Sequence, residues 1–216
     1  MLKIKDNSKL VQEALECATL MHSGQPRIFG GEPYIMHPIA VATLIRKYIA
    51  EATELELEEL DDLNHSIDGD ILIAAGLLHD VLELPNAKPS DLVKKFGFVT
   101  TYLVLEVTTN REMKAAVGTK DLYLACKLKH MSNWALLIKL CDRLDNMSDY
   151  QVQKPEFRER KTDETEFILN YIEEHMELTA VHKRIIVDIR IMIEKAKAFG
   201  ASQTLVLKLE NESFDN

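Results

Sequence analysis

Eight consecutive residues, Ile71 to Leu78, carry neither charge nor a polar side chain, and the run stops at the pair His79-Asp80. Taken on to Leu84, the segment is apolar nearly all round, which predicts a helix buried in the middle of a bundle rather than one lying on its surface. The run is far too short to cross a bilayer, which needs about 20 apolar residues. Its closing residues are the informative ones, because a buried imidazole or carboxylate is costly unless it is paired or bound to a metal ion.

The rest of the chain reads as helices around that one. Ser8 is placed to cap a helix in which Leu10, Val11, Ala14, Leu15, Ala18 and Met21 recur at three- and four-residue steps, ending near Ser23-Gly24. Residues 24–33 hold three of the eight glycines and two of the six prolines, the composition of a shaped loop of the kind that holds ligands. Pro38 suits a first turn, and the apolar spacing after it predicts a helix to about Ile49. The stretch from Glu51 to Asp70 is acidic and has neither Lys nor Arg, as expected of a solvated helix and loop. Lys88-Pro89-Ser90-Asp91 reads as a turn into a short helix reaching Phe96-Gly97, and Val99 to Val107 as a further helix despite its β-branched residues. Helical length and spacing recur over Asp121 to Lys129, Trp134 to Met147, Asp163 to Glu177 and Thr179 to Phe199, with Trp134 in the core and Gly200 as a C-terminal stop. Residues 201–209 show period-two features, which predicts an extended tail or a short strand. The expected architecture is all-α, a single domain over 1–200 followed by a tail over 201–216.

Composition narrows the partners. With 46% hydrophobic and 28% charged residues the chain has a globular balance. Its 26 Lys and Arg against 35 Asp and Glu give a net charge of −9, so no global basic field draws it to nucleic acid or an anionic membrane. A polyanionic ligand must find a local pocket. Cys17, Cys126 and Cys141 are widely separated and form no CxxC pair, which fits a reducing cytoplasm. The opening residues Met1 to Asp6 carry two lysines without a following apolar segment, unlike a signal peptide.

Two further residues stand in contexts as odd as that of His79 and Asp80. His37 lies at a loop-to-helix junction in Tyr34-Ile-Met-His-Pro, and Asp142 is embedded in an apolar helix. Together the four form a His2Asp2 set, a donor combination that suits manganese, iron or zinc and leaves room for water and substrate. Adjacent helical positions point about 100° apart, so His79 and Asp80 reach one ion only by curling around the helix edge. Glu83, four residues after His79, falls on the same helix face, near enough to orient a water or exchange a proton with it. Lys139 and Arg143 are one i,i+4 step apart and flank Asp142, which makes them candidates for phosphate contacts; Arg143 is also placed for an ion pair with a neighbouring carboxylate. His65, His130, His175 and His182 lack partners at ligand spacing and read as surface or helix-face residues, and Arg158 to Lys161 as an exposed charged face.

In this order along an all-α chain, the residues resemble the HD metal-dependent phosphohydrolases, and within them the hydrolase domain of the RelA/SpoT alarmone enzymes and the small alarmone hydrolases. The resemblance runs over roughly residues 10–180. It is carried by His22-Ser-Gly-Gln-Pro-Arg27, by Gly31-Glu-Pro-Tyr-Ile-Met-His-Pro-Ile-Ala-Val-Ala42, by Ala75-Gly-Leu-Leu-His-Asp-Val-Leu-Glu83, by Phe96-Gly97 and by Ile138-Lys-Leu-Cys-Asp-Arg-Leu-Asp-Asn-Met147. It implies an HD-domain helical bundle that binds one manganese ion and removes the 3′-pyrophosphate of guanosine tetra- or pentaphosphate, giving GDP or GTP. Carried over position by position, it implies that His37, His79, Asp80 and Asp142 hold the metal, that Arg27 packs on the guanine base and that Asn146 contacts the nucleoside. The i,i+4 spacing of Asp142 and Asn146 is consistent with one shared cavity.

Two positions depart from that pattern. Leu84 stands where the family carries an acid after the glutamate, and leucine can neither transfer a proton nor orient water. Ile28 stands where a lysine often follows the arginine. These departures keep two alternatives open: an HD phosphohydrolase for another nucleotide, and a catalytically silent nucleotide sensor.

Overall fold

The computed structural model describes the backbone of residues 8–61 and 67–214, with side chains to residue 205. His65 and the segment Met1 to Asp6 lie outside the described residues. The helices are α1 (Lys9–Met21), α2 (Met36–Glu51), α3 (Glu54–Leu60), α4 (Gly69–Leu78), α5 (Pro89–Val107), α6 (Arg111–Val117), α7 (Lys120–Lys129), α8 (Asn133–Ser148), α9 (Pro155–His175) and α10 (Ala180–Phe214). A 3₁₀ turn, Val81–Glu83, follows α4. Among the described residues the one β pairing is an isolated antiparallel bridge between Pro26 and Pro33. No helix among them is long and apolar enough to cross a membrane.

α4 is the central element. Every residue of it except Ile71 is buried, and α1, α2 and α5 pack directly against it. Fully burying each Leu or Ile there stabilises the fold by about 1.5–3 kcal/mol. Gly76 lets α2 come close: a Cβ at that position would meet the Ile45 Cδ1 atom at 2.4 Å. α8 forms the second buried layer, packed by α2, α5 and α10, with Trp134 in the core as expected.

α5 is interrupted at Gly97, whose φ of 80° a Cβ-bearing residue rarely adopts, so the turn separates two helical segments as the sequence predicts. α4 is shorter than expected: it ends at Leu78, and the chain turns through His79 and Asp80 into the 3₁₀ turn. That turn overrides the propensity of the apolar Val81-Leu82, and it moves Glu83 off the helix face assumed for it. α9 begins at Pro155, well before Asp163, because Pro155 at the first turn starts the helix on polar residues with little apolar periodicity.

The C-terminal expectation is corrected. Gly200 does not stop α10, and residues 201–209 are helical rather than a strand or extended tail. Arg158 explains the continuation. Its guanidinium packs against Gly200, lies 5.0 Å from the Phe199 ring centroid and donates to Gln203 Oε1 at 2.7 Å, so it bridges both sides of the glycine. The run 158–161 is therefore not one exposed face. Arg158 is buried and Lys161 half-buried, while Glu159 and Arg160 face solvent, as helical periodicity along α9 requires.

His182 is also corrected. It is fully buried, donates from Nε2 to the Asn133 carbonyl at 2.9 Å and accepts from the Thr179 hydroxyl at 3.1 Å, tying the start of α10 to α8. His130 and His175 are exposed as expected. Burial pushes the His182 imidazolium down to about 4, against a weaker upward pull from the Asn133 hydrogen bond. The unfolded chain thus binds the extra proton first, and stability falls as pH drops below about 6.5. From pH 7 to pH 5, His182 costs about 2 kcal/mol. Urea unfolding of chelator-treated protein at both values checks this: His182→Gln should shrink the pH 7-to-5 difference by about that amount.

Candidate metal centre and nucleotide pocket

Three structural devices bring the polar residues together. His37 enters at the first turn of α2, its N–H bonded to the Tyr34 carbonyl at 2.9 Å. His79 and Asp80 are presented where α4 ends, between its last residue and the 3₁₀ turn. Asp142 lies mid-way along α8, and helical spacing adds Lys139, Asp145 and Asn146 around it.

His37 Nε2 lies 3.2 Å from Asp142 Oδ1 and 3.7 Å from Asp80 Oδ2. His79 Nε2 lies 3.1 Å from Asp80 Oδ2 and 3.9 Å from Asp142 Oδ1. One ligand atom each from His37, His79 and Asp142 fall within 4.8 Å of one another, all buried. Spacings of this size suit donors that share one cation at about 2.0–2.2 Å.

The hydrogen bonds set the tautomers. His79 Nδ1 is 2.8 Å from the Gly76 carbonyl, so it carries a proton, and its buried Nε2 faces the Asp80 carboxylate. His37 Nδ1 is 2.6 Å from Asp145 Oδ2, the carboxylate–histidine arrangement that aims the other nitrogen at a metal. The two imidazole Nε2 atoms thus converge on two carboxylates, a donor set that fits a divalent transition cation.

The electrostatics agree. Burial acts to raise both carboxyl groups, but His79 and Lys139 outweigh it at Asp80, and Lys139, His37 and His79 outweigh it at Asp142, so both stay well below the usual range and ionised. Burial acts to push the His37 imidazolium down, and hydrogen bonds to Asp142 and Asp145 with the charge of Asp80 reverse that, holding it at about 9. A proton there satisfies the same negative charge that a cation would. Tyr34 donates its hydroxyl to Asp80 Oδ2, and burial together with the Asp80 charge holds that phenol far above its ordinary value.

The substrate candidates separate. Asn146 Nδ2 donates to Asp142 Oδ1 at 2.5 Å, and Lys139 Nζ to Asp142 Oδ2 at 2.6 Å. Arg27 reaches Asp145 at 2.9 Å and Asp149 at 2.6 Å from its loop, which is closed by the bond from Arg27 N to the Glu32 carbonyl and by Gly30 and Gly31 at positive φ. Arg143 faces α9 instead, donating to Glu164 at 2.7 Å and Thr165 Oγ1 at 3.3 Å. Glu83 accepts from the Thr109 amide at 3.0 Å. A pocket opens above His37, walled by Arg27, Phe29, Tyr34, Asn146, Phe157 and Lys161.

Sequence reasoning missed Asp145 and Tyr34, and it read Lys161 as part of an exposed charged run. Asp145 carried a signal, being a second carboxylate three residues beyond Asp142 in the same apolar helix. Tyr34 carried none, since only the fold turns it inward.

Comparison with known proteins follows the same lines. An HD-domain family model matches residues 14–171. A GTP pyrophosphokinase of Streptomyces coelicolor is 32% identical over 157 residues, 72% of this chain but 16% of the relative, so the chain spans about a sixth of that protein. Guanosine-3′,5′-bis(diphosphate) 3′-pyrophosphohydrolase MESH1 of Drosophila melanogaster is 33% identical over 144 residues, 66% of this chain and 70% of the relative. A solved structure of a metazoan ortholog of SpoT that hydrolyses ppGpp and plays a role in starvation responses superposes with a TM-score of 0.66 at 25% identity, covering 86% of this chain and 96% of that one. A family match that begins inside α1 and ends inside α9, taking in every element that contributes to the candidate metal centre, makes this chain a member of the HD-domain family.

Proposed function

We propose that this chain is a metal-dependent (p)ppGpp 3′-pyrophosphohydrolase of the small alarmone hydrolase type, releasing pyrophosphate to give GDP or GTP. The observation that carries the reading is the convergence of two imidazole Nε2 atoms on the Asp80 and Asp142 carboxylates beside a pocket lined by His37, Arg27 and Asn146. The substrates of MESH1 and of the SpoT ortholog support it.

His37, His79, Asp80 and Asp142 would hold the metal, for which we assign Mn2+. A divalent cation bound there supplies a lowered pKa for water and offsets charge on phosphoryl oxygens. Asp145 orients His37, and the Gly76 carbonyl orients His79. Glu83, fixed through one oxygen by the Thr109 amide, is assigned the attacking water's proton on the other. Arg27, held flat by Asp145 and Asp149, offers a guanidinium plane to the base, and Asn146 a polar edge to the nucleoside. Lys139 balances Asp142 next to the phosphoryl oxygens, while Arg143 acts from behind, through Glu164. The free thiols Cys17, Cys126 and Cys141 fit the cytoplasm, where we place the protein. Leu84, an apolar side chain directly after Glu83, favours a second reading, an HD hydrolase or a silent sensor for another nucleotide.

Metal-stripped protein reconstituted with manganese and given guanosine tetraphosphate should release GDP and pyrophosphate, resolved by anion-exchange chromatography. Asp142→Ala should abolish that turnover; full activity in this variant would overturn the metal assignment. Leu84→Asp should raise hydrolysis severalfold, whereas no change would favour a pocket built for another ligand. Asp145→Asn, which keeps the side-chain volume and weakens the hold on His37, should lower manganese affinity by roughly 10–100-fold in a competition titration.

A further inference from the structure

The pocket above His37 contains a cation whose charge is poorly balanced. Lys161 sits on α9, on the face that also carries Arg158, Thr162 and Thr165 inward, and its side chain is 14% exposed. Its nearest carboxylate is Glu164, at 3.7 Å. That carboxylate is already taken at closer range by Arg143, at 2.7 Å, and by Lys120, at 2.8 Å. Three cations therefore share the Glu164 carboxylate, and Lys161 is the most distant of them. Burial, with the repulsion of Arg143, pushes the Lys161 ammonium down to about 7.

The other cations around the pocket are spoken for. Arg27 is held by Asp145 and Asp149, and Lys139 by Asp142 at 2.6 Å. Ile28, at the pocket mouth, is 81% exposed and offers no charge. Across from it, Phe29 and Phe157 meet edge to face with centroids 4.8 Å apart, an apolar wall next to Lys161. A loosely paired, partly desolvated ammonium on a pocket wall is a site for an anion, because the incoming charge restores what burial removed.

We propose that Lys161 receives a second phosphate group of the substrate, one that is not hydrolysed, and so selects nucleotides phosphorylated at two separate positions. This rests on the phosphohydrolase reading above. The reacting phosphoryl group lies at the His37 end of the pocket, and Lys161 contributes binding without taking part in bond making. Arg143 and Glu164 position it: Arg143 keeps Glu164 from pairing closely with Lys161, so the ammonium stays available.

The test compares guanosine 3′,5′-bis(diphosphate) with guanosine carrying the 3′-diphosphate and a 5′-hydroxyl, using manganese-loaded wild type, Lys161→Met and Lys161→Arg. Wild type should show a KM at least about tenfold lower for the bis(diphosphate), the scale of a charge-assisted contact. Lys161→Met should raise that KM about tenfold with kcat within about twofold and erase the preference, and Lys161→Arg should keep it. Removing a buried charge should leave the melting temperature of Lys161→Met at or above that of wild type; Lys161→Gln serves if the methionine variant does not fold. If wild type binds both compounds without turnover, calorimetric Kd values replace KM in the same comparison. Equal values for the two compounds in wild type, or a preference unchanged in Lys161→Met and Lys161→Gln, overturn the Lys161 assignment, and turnover by wild type is what keeps the hydrolase reading standing. Wild type that neither binds nor cleaves either compound overturns the hydrolase reading and this inference with it.

Discussion

Asp80 and Asp142 are ionised carboxylates held out of water at the junction of the α4 end and α8, and the surrounding architecture answers to that charge. Two acids at such a place are unfavourable without compensation. Lys139 supplies one positive charge from the preceding turn of α8, and the imidazoles of His37 and His79 point their remaining nitrogens at the carboxylates. The balance tips by a proton or by a cation.

α8 distributes the consequences. Its site-facing stripe carries Lys139, Asp142, Asp145 and Asn146, and the Asp145 carboxylate accepts from both His37 and Arg27, so one side chain ties the α2 entrance and the glycine-rich loop to the same helix. Its other side carries Arg143 to Glu164, which also meets Lys120 and Lys161. α9 is thereby coupled to the pocket by charge. Further along, Arg158 locks α9 onto α10 across Gly200. Ion pairs and hydrogen bonds thus join α8 to α9 and α9 to α10.

How much of this was readable in advance depends on the kind of signal each residue carries. His37, His79, Asp80 and Asp142 stood out because polar groups in apolar surroundings are expensive, so their presence signals compensation. The interruption at Gly97 was readable because only backbone without a Cβ takes that turn easily. Arg143 left two directions open, and packing against α9 chose the ion pair. His182 looked like one more helix-face histidine, since nothing local shows that Asn133 of a distant helix offers it a carbonyl. Gly200 looked like a stop, since nothing local shows a guanidinium from α9 resting on it.

The sequence by itself determined the all-α architecture, the central buried helix and the residue types of the candidate metal centre, because apolar periodicity and the cost of burying charge act at the level of single segments. Only the tertiary structure decided that α4 stops at Leu78 so that His79 and Asp80 turn inward together, that Asp145 and Tyr34 buttress the site, that Lys161 rather than Arg143 faces the pocket, and that the C-terminal residues prolong a helix. Each of those depends on groups far apart in the chain meeting at a few ångströms, and the free energy of such a meeting is absent until the helices pack.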